Sequence, residues 1–548
     1  MFNLKAIYFY FLALRISLIK FLKKIYFTTK IYKKSLISKT PQQFYFHPNP
    51  LLLSYLTTYK KNAFKISEID PNLFWITQSN IQELKEQHSF MWLNLIDRKN
   101  DGKSIQRIIN LWILKYSNYK KNIWENSVLS QRIISWILNS DIILAKSFFE
   151  FKKNFLTSII LQSNHLKKNI KFEKNYENKI KTLTALLLTG LVFKEYEENY
   201  NYAIKELEKF VKDFFDKDGF PVTRSPNDLI FFLKYLILCK ECIKEAQKYI
   251  PEILDETISK NISNLKQILT PDDQIPFFNG GRENNLTQVM ELMNDSEKTN
   301  KNKNKIVGGL QILKFKNSLV YFDIGEPPKK NHSRSYQSGP LSFEYYLNEK
   351  KIITNCGFGS AISSKAELLS RLTSAQSTLT INDTSVSKFE RNKTINRVFG
   401  NSIKNTFKIL NKEILENDEL IGASASHNGY DKNFGCIFKR KININKSTGN
   451  LVGIDELIKK KDGKPLKYSI RFHLYPGLTA VKTLGGDSIL IQLTKNKSLF
   501  FTIKGEKLFL EKSIFFARNR ILGNTCITVS GNLVNKNKII QWEIKEKI

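Results

Sequence analysis

GLQILKFKNSLVYFDIG, residues 309–325, reads as two short strands joined at the Lys316–Asn317 turn, and it marks where the chain changes its period. From there onward short β-rich runs recur between Gly, Asn and Lys turns: EKKIITNCG (349–357), QSTLTIND (376–383), SIRFHLYP (469–476), DSILIQL (487–493), SLFFTIKG (498–505) and KIIQWEI (538–544). Such spacing predicts stacked antiparallel sheets. Before it, from about Pro50 to Leu269, apolar residues recur at helical spacing, as in Ile105, Ile108, Ile109 and Trp112, or Leu229, Phe232, Leu233 and Leu236. Between the two regimes lies the polar run KTNKNKNK (298–305), which suits a linker. The expected organisation is α+β and multidomain: a basic apolar segment over 1–35, a helical domain over 36–295, a linker over 296–306, and an antiparallel β-sandwich over 307–548.

A chain of 548 residues exceeds what one hydrophobic core supports, and 42% apolar residues are ample for two. The formal charge of +35 attracts polyanions. It is scattered, and no nucleic-acid module accompanies it, so nucleic acid is not expected as a partner. Lys and Asn are abundant in loops throughout, which makes much of the charge a compositional drift. The odd count of five cysteines argues against a disulfide framework, and Cys239 and Cys242 sit inside an apolar helical run rather than beside a second ligand pair.

In residues 1–30 an apolar stretch, Ala6–Leu14, is followed by Arg15, Lys20, Lys23 and Lys24. The stretch is too short to span a bilayer, and no small-residue cleavage pattern follows it. A basic helix on an anionic membrane surface, or a helix packed on the next domain, fits the pattern. The lack of a clear secretion signal points to a cytoplasmic or membrane-surface location.

Four stretches resemble the heparinase II/III family: QSNHLKKNI (162–170), DGFPVTRSP (218–226), GPLSFEYYLNEKKIITNCG (339–357) and RLTSAQSTLTINDTSVS (371–387). FFNGGREN (277–284) and IRFHLYPG (470–477) are similar to stretches of an uncharacterised bacterial branch. The resemblance implies an incomplete α/α toroid ahead of the β-sandwich and β-elimination on a uronate polysaccharide in a cleft between the domains. It also implies a cell-envelope or periplasmic location. Elimination needs donors for the substrate carboxylate, a base and an acid. Asn164 and His165 match the family's carboxylate-contacting pair. His332 and Tyr336, in the loop PPKKNHSRSYQSG (327–339), are the candidates for base and acid, with Asp228 as a helix cap near the place of the family's catalytic Tyr. Arg282, Asn279, Arg334 and Gln337 are the expected substrate contacts, and Glu344 is expected to bond neighbouring loops.

The family's catalytic His and its zinc ligands fall at Ser335, Gln337, Asn355 and Gln376. Carboxamides are poor zinc ligands, so no metal or other cofactor is expected, and the three amides could bond one another instead. With the base positions altered, a non-catalytic glycan-binding or envelope-assembly protein on the same fold is the alternative to a lyase. If no zinc is structural, exhaustive chelation will leave the melting temperature unchanged; a fall of several degrees restored by zinc would contradict this.

Overall fold

The computed structural model describes residues 4–57, 70–75, 80–284, 286–294, 306–460, 464–534 and 536–546. The run expected as a linker, 296–306, lies almost entirely outside the described residues. The chain divides into two compact units: the first is Met1–Asp216, Ile230–Ile262 and Thr287–Thr299, the second Lys217–Leu229, Ser263–Leu286 and Asn300–Ile548. Two segments read from sequence as part of the helical domain therefore cluster with the strands. One reason is Arg224, held in the left-handed region at φ 59°, whose guanidinium donates to the carbonyls of Gly308 and Gly325 and pairs with Asp323.

The first unit is helical. Ile105, Ile108, Ile109 and Trp112 on Gly102–Tyr116 are buried, as their spacing predicts. Tyr176–Val192 is buried around nearly its whole circumference, the pattern of a helix enclosed by others. Gly190 on it lies against the backbone of Tyr200, so a Cβ there would strike the helix Glu197–Phe214. Arg132 is fully buried and all its contacts are internal: Nε donates to Gln162 Oε1 (2.6 Å), and the terminal nitrogens donate to the carbonyls of His88 (2.7 Å) and Ile123 (3.2 Å). Cys239 and Cys242 are buried free thiols, as expected of helix-core residues.

The unit opens with the helices Leu4–Phe27 and Lys30–Leu36, the second capped by Thr29, whose hydroxyl accepts the Tyr32 N–H at 3.1 Å. No described helix is long and apolar enough to cross a membrane.

The second unit is antiparallel β. Among the described residues its first sheet runs Ile306–Val307, Leu310–Phe315, Ser318–Asp323, Phe343–Leu347, Lys350–Thr354, Leu466–Leu474, Ile521–Leu533 and Lys507–Phe516, with Leu379–Ile381 also paired to Leu466–Leu474. The second sheet runs Thr479–Lys482, Ser488–Thr494, Lys497–Ile503, Asn537–Glu546, Leu451–Lys459, Cys436–Asn445, Leu420–His427 and Ile409–Glu416. Phe343 and Phe472 of the first sheet meet Trp542 of the second, with centroids 5.4 and 5.0 Å apart. Within this core Arg440 forms a two-pronged pair with Asp455 (2.6 and 2.8 Å), and its remaining nitrogen donates to the carbonyls of Leu341 and Ser377. Asp455 also accepts the Trp542 indole N–H at 3.0 Å. The pair has no solvent exposure, so its worth lies in complete satisfaction of both charges.

Asp455→Ala leaves the Arg440 charge buried and unpaired and should cost about 3–5 kcal/mol, read as a lowered urea midpoint; a loss below about 1 kcal/mol would show that the pair is not a strut. Burial also holds His88 and His427 at a pKa of about 3 and His473 at about 4. An unfolded histidine takes up its proton near pH 6.5 while these three do not, so stability should fall as pH drops below about 6.5, by up to about 1.4 kcal/mol per pH unit for each. Melting temperatures that stay level from pH 7 to 5 would contradict that burial.

Candidate functional site

In the second unit Gln337 joins four loops. Its Oε1 accepts the Gly280 N–H at 3.0 Å, and its Nε2 donates to the carbonyls of Gly357 (2.8 Å) and Ser370 (3.0 Å). Gln376 Nε2 donates to the same Ser370 carbonyl at 2.8 Å, and Asn355 Oδ1 accepts the Ser377 N–H at 3.0 Å. The three carboxamides therefore do not bond one another as expected. Each bonds main-chain groups, because a carbonyl oxygen with two lone pairs can accept both glutamines. Gly280, at φ 90°, allows the approach: a Cβ there would sit 2.8 Å from that of Ser335. Among the described residues no group of three or more His, Cys, Asp or Glu side chains could hold a metal ion. Glu344 accepts from Thr354 Oγ1 (2.9 Å) and the Asn355 N–H (3.3 Å), the loop-bonding role expected of it.

Asn279 belongs to this network, its Oδ1 accepting the Gln337 N–H at 3.4 Å, and both residues are buried. Arg282 is half-buried nearby in sequence. Asp228 accepts the Thr223 hydroxyl at 2.6 Å in the first turn of the helix Pro226–Glu245, while Ser225 Oγ accepts the Asp228 N–H. Asp228 thus belongs to a helix start, with Ser225 as its cap.

The loop bearing the other candidates points them in opposite directions. Tyr336 is fully buried, which pushes its phenol pKa far up, whereas Arg334 is exposed. His332 is half-buried, and burial together with Lys329 lowers its pKa, which favours the neutral imidazole. The buried Arg371 fixes the loop from below, donating to the carbonyls of Tyr336 and Ser333, both at 2.8 Å.

A second loop locks onto the first, and it was not singled out from sequence. Ser333 Oγ accepts the Ile403 N–H at 3.0 Å, and the Arg334 side chain lies along Gly400, 3.4 Å from where a Cβ would stand. Just before these contacts in the chain the helix Lys393–Phe399, capped by Asn392, places Lys393 and Arg397 one turn apart on one side. Lys329, Arg334, Arg391, Lys393 and Arg397 are all exposed on these two loops. The neighbouring Glu390 is buried, its carboxylate taken up by the N–H groups of Arg391 and Asn392 and by Lys404. The legible signal was RNKTINR (391–397), with Lys393 and Arg397 at helical spacing behind the Asn392 cap and Arg391 just before it.

In the first unit Asn164 and His165 lie in the last two turns of the helix Phe149–Asn169, both against the N-terminal segment. Asn164 Nδ2 donates to the Leu36 carbonyl (2.9 Å) and Ser38 Oγ (2.8 Å). His165 Nδ1 is 2.7 Å from the Tyr32 hydroxyl, and its ring packs among Phe27, Tyr119 and Trp124. Burial, then Lys23, lowers its pKa to about 3. A cavity of about 320 Å³ adjoins them, lined by Phe27, Thr29, Lys30, Tyr32, Tyr119 and Trp124 among others.

Comparison with known proteins follows this geometry. Residues 107–306 match the family described as Heparinase II/III N-terminus, and 299–543 match Heparinase II/III-like, C-terminal. The chain is 22% identical over 431 residues to FtsZ-localized protein C of Caulobacter vibrioides, covering 75% of this chain and 72% of that protein. Its fold is similar to heparan sulfate lyase HepC from Pedobacter heparinus, with a TM-score of 0.65, 14% identity, and 95% and 83% of the two chains covered. A heparinase III structure gives 0.64 at 15% identity, covering 90% of this chain and 79% of that one. Adjoining matches that run from residue 107 to residue 543, on a helical region and then an antiparallel β region, make this chain a member of the heparinase II/III-like family.

Proposed function

We propose that this chain engages an acidic, uronate-type polysaccharide through the basic face of its second unit, with Arg334 and Arg397 as principal contacts. The observation that carries this is the pair of interlocked loops whose cations are exposed while the neighbouring carboxylate, Glu390, is spent inside. Arginine's planar fork pairs with a carboxylate or sulfate in two bonds, which suits such a chain. The heparan sulfate lyase and heparinase III structures that share the fold lend the substrate class support. Asn164 and His165 are assigned as a second glycan contact, on the family resemblance alone. Asn279 and Gln337 support the site by holding its loops, and Arg282 stays a proposed contact.

Binding without turnover is the favoured form of this function, because Tyr336 is sealed in the core and Ser335 stands where the family carries its catalytic His. Likeness to a protein named FtsZ-localized protein C adds support for a location at FtsZ within this non-catalytic reading. One observation favours β-elimination as the second reading: His332 lies in the same loop as Arg334, two residues before it, and its lowered pKa gives the neutral form a base requires. The helix Leu4–Phe27 is read as a contact with anionic lipid, supported by exposed Tyr8, Phe11, Leu18 and Phe21 among its cations.

Titration with heparin and alginate should give binding that weakens with salt, and the double change Arg334→Ala with Arg397→Ala should lower affinity at least about ten-fold, the scale of two charge-assisted contacts. Unchanged affinity in the double variant would refute the assignment. Under the same conditions no ultraviolet absorbance of unsaturated ends should develop; absorbance that vanishes in His332→Gln would establish the lyase reading instead. Replacing Gln337 by Ala strands the Gly280 N–H and should lower the melting temperature by several degrees through about 1–3 kcal/mol, whereas an unaltered melting point would remove Gln337 from its loop-holding role.

A further inference from the structure

The N-terminal segment carries two features that belong together. The helix Leu4–Phe27 leaves Tyr8, Phe11, Leu18, Phe21, Leu22 and Ile25 between 51% and 64% exposed, a large amount of apolar surface for one helix. Arg15, Lys20, Lys23 and Lys24 are interleaved with them, and no Asp or Glu occurs before Glu68. The segment that follows covers a polar pair of the first unit, the buried His165 and the half-buried Asn164: the Tyr32 hydroxyl bonds His165, and Leu36 and Ser38 take both donor bonds of the Asn164 amide. Lys168 Nζ adds a bond to the Ser35 carbonyl at 2.7 Å. The 320 Å³ cavity opens where this strap, Thr28–Leu36, faces Tyr119 and Trp124.

We propose that the helix Leu4–Phe27 docks on an anionic lipid surface and that docking draws the strap of residues 28–38 off Asn164 and His165, opening the cavity to an acidic saccharide. This rests on the assignment of Asn164 and His165 to the glycan. Lipid is the occupant the helix fits, since an anionic lipid interface offers hydrocarbon and negative charge together along a helix's whole length. A second copy would bring the same cations and another +35 of net charge. The helix is not apolar enough to span a bilayer, so it lies in the interface plane. The link is Phe27, the last residue of the helix, whose ring packs on Tyr32 and His165 with centroids 4.6 and 5.1 Å apart, so a helix drawn into the lipid interface pulls on the strap. Withdrawal exposes two large buried side chains, Tyr32 and Leu36, and breaks a few hydrogen bonds, a cost smaller than the gain from burying six large apolar side chains in lipid. The strap keeps the pair covered away from a membrane, and lipid uncovers it.

Hydrogen–deuterium exchange of the full chain tests this with phosphatidylcholine vesicles and with mixed phosphatidylcholine–phosphatidylserine vesicles. The mixed vesicles should bind and speed exchange of peptides covering 28–40 and 158–169 at least about five-fold, the factor expected when one or two such bonds open; neutral vesicles should do neither. Tyr32→Phe, which keeps the ring and loses the bond to His165, should speed the same peptides without lipid and leave the rest of the chain unchanged. Vesicle binding with unchanged exchange over 158–169 overturns the coupling, and absence of binding overturns the docking. Should exchange respond as expected while heparin gains no affinity on lipid-bound protein, the strap stands and the glycan assignment of Asn164 and His165 falls.

Discussion

The loops of the candidate site in the second unit are tied to one carbonyl oxygen. Ser370 accepts a hydrogen bond from Gln337 and another from Gln376, and Gln337 reaches on to Gly357 and Gly280. Loops that are far apart in sequence are thereby fixed to a common point without a charged group among the fixing atoms. A buried carboxamide is an all-or-nothing device, since a donor or acceptor left unmatched in the interior costs more than the bond is worth when made. Here Gln337 has both its amide donors and its carbonyl engaged. That satisfaction sets the floor on which the exposed loop with His332 and Arg334 rests, and the buried Arg371 completes it from below.

The arginines divide into two populations with different physics. Arg132, Arg371 and Arg440 are buried, each surrounded by carbonyls, an aromatic face or a carboxylate, and they hold structure. Arg334, Arg391 and Arg397 are exposed on two loops whose acidic member is internally consumed. Net charge alone could not separate the two, because a guanidinium counts the same whether it is spent in the core or offered at the surface. This is why the +35 of the chain, read as attracting polyanions in general, did not locate a face.

Much of the fold was legible, because the periods that carry it are local. The helical spacing around Ile105–Trp112 and the strand runs from Gly309 onward both appear where they were read. Four strands of the second sheet, between Ile409 and Lys459, were not recognised. Their inward residues alternate with Lys, Arg, Asn and Glu, and in CIFKRKININ a core arginine, Arg440, occupies an inward position that pattern reading assigns to solvent. The candidate site was legible only in part. Sequence placed His332, Arg334 and Gln337 in one loop, but it could not show that Tyr336 turns inward, nor that residues 391–404 close over the same loop, since both depend on contacts between distant segments. The cover over Asn164 was hidden for the same reason: its partners, Leu36 and Ser38, stand 128 and 126 residues away.

The central claim is that the face built by the 329–334 and 391–404 loops receives an acidic glycan. A crystal structure of the full chain with a uronate oligosaccharide tests this most directly. The account requires its carboxylates or sulfates to lie within hydrogen-bond reach of Arg334 and Arg397. An oligosaccharide bound elsewhere, with both guanidiniums left in solvent, would contradict it.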